Sequence, residues 1–145
     1  MARFLNDNDY KKQIREWIKN VLNYNDPQVQ EDCELAAQSE METYLNARYD
    51  IAKIFDTAQE AKDRNKLIVL YLADITLYHM FSNISPDMIP TLRENRYKAA
   101  IAWCRDVAKG TLSPLLPERD ATAPDTVQAF AHGGNYKYNN KDSRF

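Results

Sequence analysis

Apolar residues recur at helical spacing in four stretches of the chain. Ile14, Trp17, Ile18, Val21 and Leu22 follow the i, i+3, i+4, i+7, i+8 rule, with Lys11, Lys12, Arg15 and Lys19 on the other face. This predicts a first helix over about residues 9–24, ending at Asn23-Tyr24-Asn25. A second helix is expected to begin at Asp26-Pro27, where Asp is a good N-cap and proline suits the first helical position. Its stripe is Val29, Cys33, Ala36, Ala37, Met41, Tyr44 and Leu45, which carries the helix to about residue 49. Residues 50–56 read as a connector. A third helix is expected from the capping box Thr57-Ala58-Gln59-Glu60 to about residue 81. From Leu67 it is apolar nearly all round, the mark of a central, buried helix. A fourth lies between about residues 90 and 109, stopped by Lys109 in the last turn and Gly110 just past it.

Beyond Gly110 the pattern changes. Residues 111–145 hold three prolines and the Gly133-Gly134 pair, with four acidic and four basic side chains. One helical turn fits near residues 126–131. The expected organisation is therefore a four-helix bundle over 1–110 and an extended, aromatic-containing C-terminal arm over 111–145, too small to bury a core of its own. Phe130, Tyr136, Tyr138 and Phe145 are the arm's aromatics and candidates for partner binding, set against the simpler reading of a tail without structure.

Composition narrows the class. At 145 residues the chain is one domain's worth, and three glycines are too few for a fold built on tight turns, so all-α is the expected class. Net charge is −2, which weighs against a protein devoted to nucleic acid. No signal peptide and no membrane segment are expected: the longest apolar run, 67–81, has 15 residues and contains Asp74, Thr76 and His79. Two cysteines, Cys33 and Cys104, form no disulfide framework and suit a reducing, cytoplasmic compartment.

No nucleotide loop, zinc-protease helix or paired-cysteine motif is present, so neither enzyme activity nor a metal or cofactor is expected. His79, between Tyr78 and Met80, reads as a packing residue, and both cysteines as small buried hydrophobes. The anomalies are charges on apolar arcs. Asp74 falls among Leu67, Leu70, Tyr71, Tyr78 and Phe81; Arg96 among Leu92, Ala99, Ala100, Trp103 and Val107; Glu40 and Arg48 on the stripe of the second helix. Buried charges are normally paired. Asp74 is therefore expected to pair with Arg96 or Arg48, as a core ion pair or one between subunits.

The charge is also segregated. Residues 27–56 carry seven acids against Arg48 and Lys53, while residues 86–110 carry a surplus of +2. The connector 82–90 is too long, with two prolines, for a helix-turn-helix. A chain with one acidic and one basic side can associate head to tail.

Taken in order, several landmarks resemble a known family. Tyr44-Leu45-Asn46-Ala47-Arg48-Tyr49 closes an acidic helix; Leu67 to Ile75 (LIVLYLADI) forms an apolar one; Arg96-Tyr97-Lys98-Ala99-Ala100-Ile101 leads into the stop at Lys109-Gly110. This resembles the helical head-tail adaptor, or neck, proteins of tailed bacteriophages of the Mu-like kind, over about residues 28–112. The first helix is longer than that pattern, and the 111–145 arm lies outside it. The resemblance implies a structural role: a homo-oligomeric ring, usually of twelve copies, beneath the portal protein, with genomic DNA passing through its lumen and the next neck or tail protein docked below. It places the chain at the head–tail junction of the virion, and in the host cytoplasm during assembly. The alternative is a small helical nucleic-acid-binding module in DNA packaging.

Overall fold

A computed structural model describes residues 3–22 and 26–120. Its described residues are all-α: α1 (Asp7–Lys11), α2 (Glu16–Leu22), α3 (Pro27–Leu45), α4 (Ile51–Ile54), a 3-10 turn (Ala61–Asp63), α5 (Lys66–Ile84) and α6 (Thr91–Lys109). Three long helices carry the bundle. α5 packs on both α3 and α6, α3 packs on α6, and the short α1 and α2 lie against α5. The four comparable helices expected from periodicity are thus three long ones with a short N-terminal pair.

The second expected helix starts, and the fourth stops, where the sequence marks it. The Asp26 carboxylate accepts from the Gln28 N–H at 3.0 Å, with Pro27 in the first turn. α6 ends at Gly110, whose φ of +86° is the left-handed cap. An added Cβ would also lie 3.2 Å from the Arg48 guanidinium, a tight contact that this exposed side chain would have to relieve by shifting slightly.

The first helix is broken. Asn6 and Asp9 form a capping box for α1, and a turn over residues 12–15 separates it from α2. The buried anchors differ on the two sides of that turn. Asp9 and Tyr10 are fixed to Arg64 and Glu34, whereas Ile14 and Ile18 are half-buried against the hydrophobic core. The third helix does not start at Thr57. Asn65 is its N-cap, accepting from Leu67 and Ile68 N–H at 2.9 and 3.1 Å. Arg64 is extended (φ −71°, ψ 142°) so that its guanidinium reaches Asp9, and a helix from Thr57 cannot pass through that conformation.

Inside the bundle α5 is central. Ile68, Leu72, Ile75, Leu77 and Met80 are fully enclosed. At about 1.5–3 kcal/mol for each buried side chain of this size, they outweigh the single desolvated carboxylate on the same helix, Asp74. In length and mean hydropathy (19 residues, 1.4) α5 would also suit a membrane span, contrary to the expectation from its shorter uninterrupted run; its packing is that of a core helix.

The chain does not leave the bundle at Gly110. Leu116 is buried, Asp50 N–H donates to Pro117 O at 2.8 Å, and Arg119 N–H to Arg48 O at 3.2 Å. Residues 111–120 therefore belong to the packed unit. Residues 121–145, with the expected helical turn and Phe130, Tyr136, Tyr138 and Phe145, lie outside the described residues, as does the Asn23-Tyr24-Asn25 helix end.

Candidate interaction surface

Asp74 is buried and ion-paired, but to Arg93 (3.5 Å) rather than to Arg96 or Arg48. Burial pushes the Asp74 carboxyl above its usual range and lowers the Arg93 guanidinium. Neither Asp74 Oδ1 nor Arg93 Nη1 has a hydrogen-bond partner among the described residues. Arg96 lies near enough to favour the Asp74 anion, yet it is exposed and donates to Gln13 Oε1 at 2.6 Å. The expected stripe of this helix was out of phase: Arg93, Tyr97, Ala100, Cys104 and Val107 face inward, while Leu92 and Ala99 are exposed. Arg48 lies beyond the end of α3 and is exposed; it donates to Val107 O at 3.3 Å, adding a second donor to a carbonyl that already accepts from Gly110 N–H at 3.1 Å.

Glu40 is half-buried where α3, α5 and α6 meet. One oxygen lies 3.2 Å from His79 Nε2 and the other accepts from Tyr97 O–H at 2.9 Å. Tyr97 stacks on Tyr78 at 4.0 Å, and burial followed by the Glu40 contact pushes its phenol up to about 12. His79 is a polar link in this junction. Cys33 and Cys104 are buried free thiols, with Cys104 pushed up to about 12 chiefly by burial.

Two polar clusters have no counterpart in the expectations. Glu34, only 2 % exposed, accepts from Leu5 N–H (3.1 Å), Tyr10 O–H (2.9 Å) and Arg3 Nη1 (3.4 Å). Burial raises its carboxyl, and these donors oppose the rise. Arg64 grips Asp9 with two bonds, 2.7 and 3.1 Å, and also donates to Phe4 O at 2.8 Å. Glu34 was visible in principle, since it stands at i−3 and i−7 from the buried Ala37 and Met41. No local signal marks Asp9 or Arg64, which meet across 55 residues of sequence.

What remains exposed is organised. A groove runs between α1 with the 12–15 turn and the α5–α6 pair. Lys12, Gln13, Leu70, Tyr71, Asp74 and Arg96 line its middle, and Lys11, Arg15, Leu92 and Arg93 line it toward the start of α6. Lys11, Lys12, Arg15 and Lys66 make no ion pair among the described residues. Leu70 and Leu92 are 38 % and 56 % exposed beside them. The groove is cationic with an apolar lining and receives no residue from α3. Among the described residues, no three of His, Cys, Asp and Glu are grouped to hold a metal ion.

No curated protein and no solved structure matches the chain significantly. The family model described as "Bacteriophage Mu, Gp36" matches residues 5–132. The match extends beyond 28–112 on both sides, taking in α1, α2 and the start of the C-terminal arm. With most of its length matched, the chain belongs to the bacteriophage Mu Gp36 family, and it is a phage protein.

Proposed function

We propose that this protein is a non-enzymatic structural component of the virion, the subunit of a head-tail adaptor ring. It docks beneath the portal protein and connects it to the next neck or tail protein, in about twelve copies around the channel through which genomic DNA passes. The observation that carries this reading is the family match over residues 5–132. A rigid three-helix scaffold with a separate cationic, apolar-lined groove is consistent with a part that works by docking. Residues 121–145, with four aromatic side chains, would supply anchors to a neighbour, as buried aromatics often do at interfaces.

The experiment is to purify particles and count this chain against the proteins that co-purify. Around a dozen copies beside a portal ring is the expected result; its absence from particles overturns the reading. Truncation after residue 120, which keeps Leu116 and Pro117, should leave a folded bundle that incorporates poorly. The free cations of the groove favour one second reading, a nucleic-acid-binding module, which predicts duplex DNA affinity falling steeply with salt.

A further inference from the structure

We propose that the groove is the docking site for the outward face of α3 of a second copy of this chain. The inference deepens the ring reading and rests on it for its biological setting.

The charges on α3 carry it. Between Pro27 and Leu45 there are five carboxylates and no cation. Two of these are spent inside the subunit, Glu34 on Tyr10 and Leu5, Glu40 on His79 and Tyr97. Asp32 is exposed and Glu31 and Glu42 are half-buried, held only by glutamines of their own helix, and with Leu35 they form one helical stripe. Leu35 is 48 % exposed at its centre. An acidic helix with one apolar anchor is the complement of a groove that offers Lys12, Arg15 and Arg96 around Leu70 and Leu92. Duplex DNA would leave those leucines without a partner.

A second observation concerns the groove itself. Asp74 lines it but is turned inward to Arg93 at 3.5 Å, so the charge the groove presents outward is that of Lys12, Arg15 and Arg96. Because α3 contributes nothing to the groove, each copy can use both surfaces at once. Such a head-to-tail contact closes into a ring when its rotation permits.

The test uses the full chain in two preparations. One carries Leu35→Cys, the other Leu70→Cys with a size tag, and a short bis-maleimide joins thiols that meet. Cys33 and Cys104 are buried and stay silent. The mixed product should form, and Leu115→Cys in place of Leu70→Cys should give little. Lys12→Glu with Arg96→Glu in the groove copy should lower the yield about tenfold or more. Glu31→Lys with Asp32→Lys in the other copy should then restore it. A mixed product no greater than the Leu115 control, or one indifferent to charge reversal, overturns the proposal. So does a 30-base-pair duplex that blocks the cross-link and binds through Lys12 and Arg96. Copy counting stays separate: a cross-link without particle incorporation spares the interface and removes the adaptor reading, and a dozen copies without the cross-link does the reverse.

Discussion

Asp9–Arg64 and Asp74–Arg93 are both buried aspartate–arginine pairs, and they are built differently. In the first, two N–H groups of Arg64 meet the two Asp9 oxygens at 2.7 and 3.1 Å. A further bond reaches Phe4 O at 2.8 Å, another Ala61 O at 3.3 Å, and the guanidinium lies 5.5 Å from the Phe4 ring centre. In the second, the charges approach only to 3.5 Å and leave Asp74 Oδ1 and Arg93 Nη1 without hydrogen bonds. Burying a charge costs several kcal/mol, recovered only when geometry and further hydrogen bonds are good. The first pair meets that condition and latches the N-terminal segment to the entrance of α5. The second does not, and it lies on the wall of the groove. The difference teaches that burial alone does not identify a structural ion pair; completeness of hydrogen bonding does.

Removing Arg64 should break the contrast most strongly. Arg64→Met leaves Asp9 charged and Phe4 O without its donor, so a loss of about 3–5 kcal/mol is expected in urea unfolding. Next come the paired replacements. Asp74→Leu with Arg93→Met should be neutral or stabilising by about 1–4 kcal/mol, because it removes an incompletely satisfied pair. Asp9→Leu with Arg64→Met should remain destabilised by about 1–3 kcal/mol, since the Phe4 carbonyl loses its donor and the Asn6 N–H its acceptor. Equal outcomes for the two double variants would remove the distinction. Glu34→Ala should cost about 1–3 kcal/mol by stranding the Leu5 N–H and the Tyr10 hydroxyl, and limited proteolysis should then cut near residues 3–11 first.

The smallest effect is a pH dependence. The Asp74 carboxyl is raised from 3.8 by burial, so just above that pH the folded chain holds a proton the unfolded chain has lost. Its stabilising contribution is complete below 3.8 and is lost as pH rises through the raised folded value. Glu34 acts in the same direction from 4.5. Asp74→Asn should flatten the acid side of a plot of urea midpoint against pH, and an unchanged slope would show that Asp74 does not contribute it.

Much of the fold was legible along the chain. The all-α class, the start of α3 at Asp26-Pro27, the end of α6 at Gly110 and the central place of α5 rest on local chemistry: capping, proline, glycine and periodicity. The errors about which side chains face inward have one cause. A helix turns 100° per residue, so a stripe misplaced by one position moves a charge from wall to core. Arg96 was read as buried and Arg93 was not, whereas Arg93 and Tyr97 share the inward face. The same reading put Ala36 of α3 inside, where it is exposed, and overlooked Glu34, which is buried.

The sequence by itself therefore determined the all-α class, the start of α3, the stop of α6, and that charge is divided between an acidic helix and basic elements elsewhere. Those properties depend on residues within a turn or two of one another. Tertiary structure alone decided which carboxylates are spent internally and which stay outward, where α5 begins, and that Asp9 meets Arg64 and Asp74 meets Arg93. The physical reason is that a buried charge takes whichever partner the packed backbone brings within reach, and that distance is set by all the helices together.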